Sequence, residues 1–206
     1  MFKLITLVSM IAFVSGHGSM TDPINRSSLW RVDRSAPANY DDNGLNCGGS
    51  WAQHGTYKGK CGVCGDKYGL PHPQPNENTG KYGGGKIVKT YSSGQLIDVE
   101  AVITANHLGN IQYHICKITN SNLPESGEEC FKLLPFADGS DKLIIKSTHR
   151  VVKSKVQLPK GLKCNHCVLR WTYTAGNNWG RCPDGSGKLG CGPQETFRSC
   201  ADVAIV

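Results

Sequence analysis

The chain has 206 residues, ten of them cysteine, and a formal net charge of +7. That length suits one domain with its own core, and the even cysteine count suits an oxidised, disulfide-stapled protein rather than a thiol enzyme. The basic surplus is scattered, without the Lys/Arg clusters of a nucleic-acid groove, which excludes nucleic acid as a partner and leaves a solvated surface.

Met1 to Gly16 read as a secretory signal peptide. Lys3 gives the positive start, Leu4 to Val14 the apolar run, and Val14-Ser15-Gly16 a small-residue cleavage site. The run spans 11 residues, short of the roughly 20 needed to cross a membrane. Residues 17–206 are therefore expected as one secreted, extracellular domain without a membrane partner, monomeric, its charge reduced to +6 by the loss of Lys3. Cleavage would also make His17 the first residue. Its α-amine and imidazole could then close onto one metal ion, although a histidine also falls at such a position by chance.

His17 to Gly85 is a region of turn signals: Asn43-Gly44, Gly48-Gly49, prolines between Pro71 and Pro75, and glycines 83–85. Only Ser27 to Arg31 hints at a short helix, with a serine cap. A loop region this long in a compact domain is commonly functional, and Cys47, Cys61 and Cys64 would fix it covalently. Asn25-Arg26-Ser27 is a glycosylation sequon, making Asn25 a candidate glycan site.

From Lys86 the pattern alternates. Ile97, Val99, Ala101, Ile103 and Ala105 fall on one face of a strand, with Asp98, Glu100 and Thr104 on the other; Ile111, Tyr113 and Ile115 repeat the pattern. Lys86 to Tyr91, Lys142 to Ile145, Val151 to Leu158, Cys167 to Tyr173 and Phe197 to Val206 are further strand candidates. Short strands, turn signals and no helical period predict an all-β, immunoglobulin- or fibronectin-like antiparallel β-sandwich, with a long disulfide-stapled N-terminal loop region. Cys182 with Cys191 would bridge a local loop and Cys116 with Cys130 a hairpin. Cys61-x-x-Cys64 and Cys164-x-x-Cys167 read as disulfide cysteines rather than zinc ligands in this compartment.

His107 lies in the tight link between two strands, at one end of the sandwich, where binding residues are commonly held. Two imidazoles and an amine leave the rest of a coordination sphere open, a tetragonal arrangement that suits Cu(II); zinc prefers a tetrahedral set. No HExxH pair is present. His54, His72, His114, His149 and His166 have no companion pattern, and structural roles are their default. Trp30, Tyr40, Trp51, Tyr57 and Trp179 are each either sugar contacts or core.

His17 after a signal peptide, Ala105-Asn106-His107 at a strand end, and Phe197-Arg198-Ser199-Cys200-Ala201-Asp202 together resemble a lytic polysaccharide monooxygenase, most closely auxiliary activity family 15. Ser28 to Arg31, Asn46 to Gly49, Cys61 to Asp66, Trp171 to Asn177 and Cys191 to Glu195 extend the resemblance over the mature chain. It implies a single copper catalytic domain over 17–206, whose amino-terminal histidine and second histidine form a "histidine brace" at His17 and His107. It also implies Phe197 in a non-ligating axial position, where a core aromatic opening a strand is the other reading, and Ala105 crowding the other axial side, a position equally that of a buried strand alanine. The activity implied is oxidative cleavage of an insoluble polysaccharide, chitin first and cellulose second, with a small-molecule reductant and O2 or H2O2. Gln194, Glu195 and Arg170 compete for a position near the co-substrate. A secreted, non-catalytic carbohydrate-binding or copper-binding protein on the same scaffold is the alternative.

Overall fold

The structure, a computed structural model, describes residues 16–206; all of the expected signal peptide but Gly16 lies outside the described residues. Eleven strands are formed by the described residues. β1 (His17–Asp22), β3 (Leu96–Ala105) and β7 (Val151–Gln157) make a three-stranded sheet in the order β1-β3-β7. The larger sheet runs β2 (Lys89–Tyr91), β11 (Thr196–Ile205), β8 (Cys164–Thr174), β4 (Asn110–Lys117), β5 (Lys132–Leu134), with β6 (Leu143–Ile144) also on β4. β9 (Trp179–Arg181) and β10 (Gly187–Leu189) form a separate hairpin. The expected sandwich is present. Its pairing is antiparallel except between β2 and β11, which run parallel.

The predicted alternation is what buries the core. Ile97, Val99, Ala101 and Ile103 of β3 point inward, meeting Ile111, Tyr113, Ile115, Leu169, Trp171, Tyr173, Phe197 and Ala201 of the larger sheet. β8 departs from alternation because its other face is covered too. There Val168 and Cys200 pack with Val63, Cys64, Cys116 and Phe131, so the N-terminal loop region acts as a third layer. A strand buried on both faces reads as a continuous run.

Three covalent and polar ties hold that layer down. Cys47–Cys61 closes it locally, and Cys64–Cys200 joins it to β11 across 136 residues, worth about 5 kcal/mol by loop-closure entropy. Cys116–Cys130, Cys182–Cys191 and Cys164–Cys167 complete the set, the first two as expected. The third tie is Arg26, which is 4% exposed. It donates to both oxygens of Asp202 (2.9 and 2.6 Å), to Glu125 Oε1 (2.7 Å) and to the Asn76 carbonyl (2.8 Å). His166 Nε2 stands 2.7 Å from the same Asp202.

Asn25 corrects an expectation. Rather than a glycan site it is the N-cap of a 3₁₀ turn, Arg26–Arg31, and is fully buried. Its Nδ2 donates to the Met20 carbonyl (2.6 Å) and to Ser28 Oγ (2.9 Å), while Oδ1 accepts from the Ser28 N–H (3.1 Å). A sugar on Nδ2 would displace those bonds from a site with no room for it. The cap is Asn25, not the serine that the pattern suggested.

Burial alone would raise the Asp202 carboxyl; the charge and hydrogen bonds of Arg26, with His166, outweigh it and lower the pKa from 3.8 to about 2. A depressed carboxyl stabilises the fold fully above its unfolded pKa and loses that contribution as pH falls through the folded one. Stability measured by urea unfolding should therefore lose about 2 kcal/mol from this group between about pH 4 and pH 2. Asp202→Asn, which removes one of the two carboxylates paired with the buried Arg26 and leaves Glu125 alone against it, should cost about 3 kcal/mol at pH 7. A near-neutral Asp202→Asn would show that the ion pair does not hold the layer.

Candidate metal centre

His17 opens β1 and stands opposite Ala105 at the end of β3, with a register irregularity between His17 and Gly18. That fixes one end of the strand pair. Gly18 donates its N–H to the Asn43 carbonyl (2.9 Å), and a Cβ on it would come within 2.9 Å of the Val102 carbonyl oxygen, so only glycine lets β1 lie this close to β3. Met20 N–H donates to Ser199 Oγ (3.0 Å), locking β1 to β11 across the core.

Phe197, fully buried, pairs with Tyr173 in the β11–β8 register and stacks on its ring at 5.9 Å between centroids. Its other neighbour is His17, whose ring lies 6.2 Å away at 38°. Gly16 sits at the junction of these groups: a Cβ placed on it would lie 3.1 Å from the Phe197 ring and 3.4 Å from His107 Nδ1. Its N–H donates to Glu195 Oε2 (3.1 Å). The structure thus brings His17, the Ala105–His107 segment and Phe197, from three distant parts of the chain, to one end of the sandwich.

The loop carrying His107 is pinned on every side. Its N–H donates to the Tyr173 hydroxyl (2.9 Å) and its carbonyl accepts from the Gly176 N–H (2.8 Å). Asn106 Oδ1 accepts from the Leu108 N–H (2.8 Å), while its Nδ2 donates to the Lys146 and His149 carbonyls (2.9 and 2.8 Å). Leu108 and Gly109 both turn through positive φ, +57° and +84°. The His107 ring meets Asn177, whose amide is 2.8 Å from Nδ1. Burial raises the Tyr173 phenol above its ordinary value, so it stays protonated.

Of the three residues competing for a place near the co-substrate, Arg170 lies elsewhere. It faces the third layer, stacked over Phe131 at 4.0 Å and bonded through both Nη atoms to Glu128 (3.0 and 2.8 Å), which also accepts from Arg198. Leu169, Trp171 and Tyr173 take the inward face, so Arg170, between the first two, points to the other. Gln194 braces the neighbouring loop, accepting from Asn178 N–H (3.0 Å). Glu195 is the one at this end of the sandwich, where it accepts the Gly16 N–H. It also accepts from Asn46 Nδ2 (3.3 Å). His54, His72 and His166 have structural partners: the Gln194 carbonyl, Glu77 and Asp202.

Sequence reasoning missed Asn106, Tyr173 and Asn177 as supports of His107. The hairpin β9–β10 was missed too; it starts two residues beyond Asn177 and presents Trp179, 68% exposed, directly opposite Leu189, 67% exposed.

Among the described residues no group of three His, Cys, Asp or Glu side chains could hold a metal. Two imidazoles remain, and the third nitrogen beside them is the backbone nitrogen of His17. As a peptide amide it is not basic; cut from Gly16 it becomes an amine. With that amine freed, the donor set would fit an ion that prefers nitrogen ligands.

A family model described as lytic polysaccharide mono-oxygenase, cellulose-degrading, matches residues 17–203. Among solved structures, the chain is similar to lytic polysaccharide monooxygenase AA15 from Thermobia domestica in the Cu(I) state, with 42% identity, 92% of this chain and 98% of that chain covered, and a TM-score of 0.88. More distant are a chitin binding domain from Burkholderia pseudomallei (12% identity, 93% and 100% covered, TM-score 0.48) and a lytic polysaccharide monooxygenase from Micromonospora aurantiaca (15%, 91% and 99%, TM-score 0.47). No match was found among curated protein sequences.

Replacing Gly109 by alanine should destabilise the His107 loop by at least about 2 kcal/mol, since its φ is +84° and the new Cβ would lie 2.0 Å from the Thr174 carbonyl oxygen. Gly139→Ala, at φ +82° with nothing within 4 Å, should cost only the backbone strain, about 1 kcal/mol. Equal costs in urea unfolding would contradict the packing of this loop.

Proposed function

The chain belongs to the lytic polysaccharide monooxygenases, as the match over residues 17–203 and the similarity to an auxiliary activity family 15 enzyme establish, and from that premise we propose how its own residues perform the reaction. It is a copper-dependent oxidoreductase. Signal cleavage after Gly16 frees the His17 α-amine, and that amine, the His17 ring and the His107 ring hold one copper ion. The convergence of His17, His107 and Phe197 at one end of the sandwich carries this reading.

When bound, copper supplies the one-electron redox chemistry by which a reductant and O2 or H2O2 bring about hydrogen removal at a sugar C1 or C4 carbon and scission of the glycosidic bond. The protein's part is placement and exclusion. Phe197, unable to ligate, blocks access from the core side, and Ala105 crowds the opposite side. Glu195, whose carboxylate accepts the Gly16 N–H just before His17, would hold a proton beside the co-substrate. A metal at a chain end and a loop suits a substrate that cannot enter a cleft. Trp179 and Leu189 extend the same loop region as an exposed apolar ledge suited to a pyranose face. The polymer is insoluble polysaccharide, chitin first and cellulose second. The five disulfides suit extracellular service, and no helix among the described residues is long and apolar enough to cross a membrane.

Mature protein loaded with copper and given ascorbate should release oxidised oligosaccharides from chitin or cellulose, detected by mass spectrometry. Absence of products from both polymers and from other glucans would favour the non-catalytic binding reading. His107→Ala should fold normally and lose tight copper binding, and one extra residue before His17 should abolish turnover by converting the amine to an amide. Undiminished oxidation by the extended protein would rule out the brace.

A further inference from the structure

We propose that a cavity lined by the N-terminal loop layer and the Gly127–Glu129 segment is a second binding site, for one short neutral saccharide, separate from the metal centre. It has a volume of about 500 Å³ and takes its walls from residues 59–77 and 125–129. Phe197 points into the core on the side of the metal centre, and Arg198, next on β11, lines the cavity on the opposite face of the sheet. The choice of a saccharide among polyhydroxylated ligands rests on the activity proposed above; the site itself does not.

The walls are fixed in advance, which removes an ordering cost from binding. Cys61 and Cys64 anchor one wall through Cys47 and Cys200; Cys116–Cys130 anchors the other, where Glu128 accepts from Arg170 and Arg198. Within this frame one buried acceptor is orphaned. Gln74 is 1% exposed, and its Nε2 faces the carbonyls of Lys67, Tyr68 and Leu70 (3.3, 3.1 and 3.4 Å), so the amide orientation is set and Oε1 is turned away from them. Among the described residues that oxygen has no hydrogen-bond partner. It lies against Gly62, where a Cβ would approach it to 2.2 Å, and both residues line the cavity. A buried acceptor left unpaired is costly, and a ligand hydroxyl would satisfy it.

The remaining groups select the ligand class. Lys60 Nζ stands 5.2 Å from the centre of the Tyr68 ring, and the Glu129 carboxylate folds back over Gly127, where a Cβ would meet it at 2.7 Å. Glu77, 1% exposed, takes the Gln74 N–H and His72 Nδ1 on Oε2, at 2.7 Å each. Donors and acceptors thus stand side by side, with Tyr68 and Val63 as apolar surface, which matches the hydroxyls and the C–H face of a pyranose. A metal ion does not match, because no three His, Cys, Asp or Glu side chains among the described residues come together to hold one. An anion would face the Glu77 and Glu129 carboxylates.

The test is calorimetric titration of the copper-loaded mature protein, without reductant, with cellobiose and with diacetylchitobiose. Saturable binding of at least one disaccharide is expected, retained in His107→Ala and without change in the Cu(II) electron paramagnetic resonance spectrum of the parent. A Lys60→Ala/Glu129→Ala double variant, altered only at exposed positions, should bind about tenfold more weakly, with melting temperature and polymer oxidation unchanged. The proposal would be overturned by a parent that binds neither disaccharide, by undiminished binding in the double variant, by weakening only in step with a lowered melting temperature, or by binding lost in His107→Ala. A parent that binds a disaccharide here and releases no oxidised products from any polymer would overturn the proposed function and leave this site standing.

Discussion

A chain end is ordinarily among the least ordered parts of a protein, yet a metal site built on a terminal amine needs that end held still. Here the constraint is met by making the first residues of the expected mature chain a strand. β1 pairs with β3 from His17 onward, Met20 is fully buried, and Ser199 of β11 accepts its N–H from the opposite sheet. The same pairing places His17 over Ala105, two residues before His107. The geometry of the site follows from one strand register, and a slip of one residue would turn His17 away from Phe197.

Holding that strand requires the rest of the N-terminal region to be rigid without regular structure. It has no helix of useful length and contributes few residues to the main core. Covalent closure at Cys47–Cys61 and Cys64–Cys200, the capped turn at Asn25 and Arg26, bonded through all three of its nitrogens, supply what packing does elsewhere. Because Arg26 sits one residue after the cap and bonds Asp202 on β11, the layer is fastened to the strand that also carries Phe197. β8 and β11 at the centre of the large sheet are thereby buried on both faces for most of their length.

Much of this was legible in the sequence, where one physical signal dominated. The alternation in Ile97 to Ala105 and Ile111 to Ile115 identified β3 and β4, and with them the end of the sandwich where His107 sits. β1 was illegible because His-Gly-Ser-Met-Thr-Asp has a single large apolar residue, and its extended form comes from pairing with β3. The Asn25 motif has two physical readings, a glycan acceptor and a helix cap, and burial decides between them. Arg170 looked misplaced beside the site because strand parity, not residue type, sets which way it points. Asn106, Tyr173 and Asn177 act through contacts between distant segments, which no local pattern announces.

Everything proposed for the metal centre depends on a processed amino terminus at His17. The direct measurement is the intact mass and N-terminal fragment spectrum of the protein recovered from the medium of secreting cells. A chain beginning at His17, with no residue before it, is predicted. A dominant species beginning at Gly16, Gly18 or any other residue would contradict it, because no such chain carries an amine on the histidine that faces Phe197.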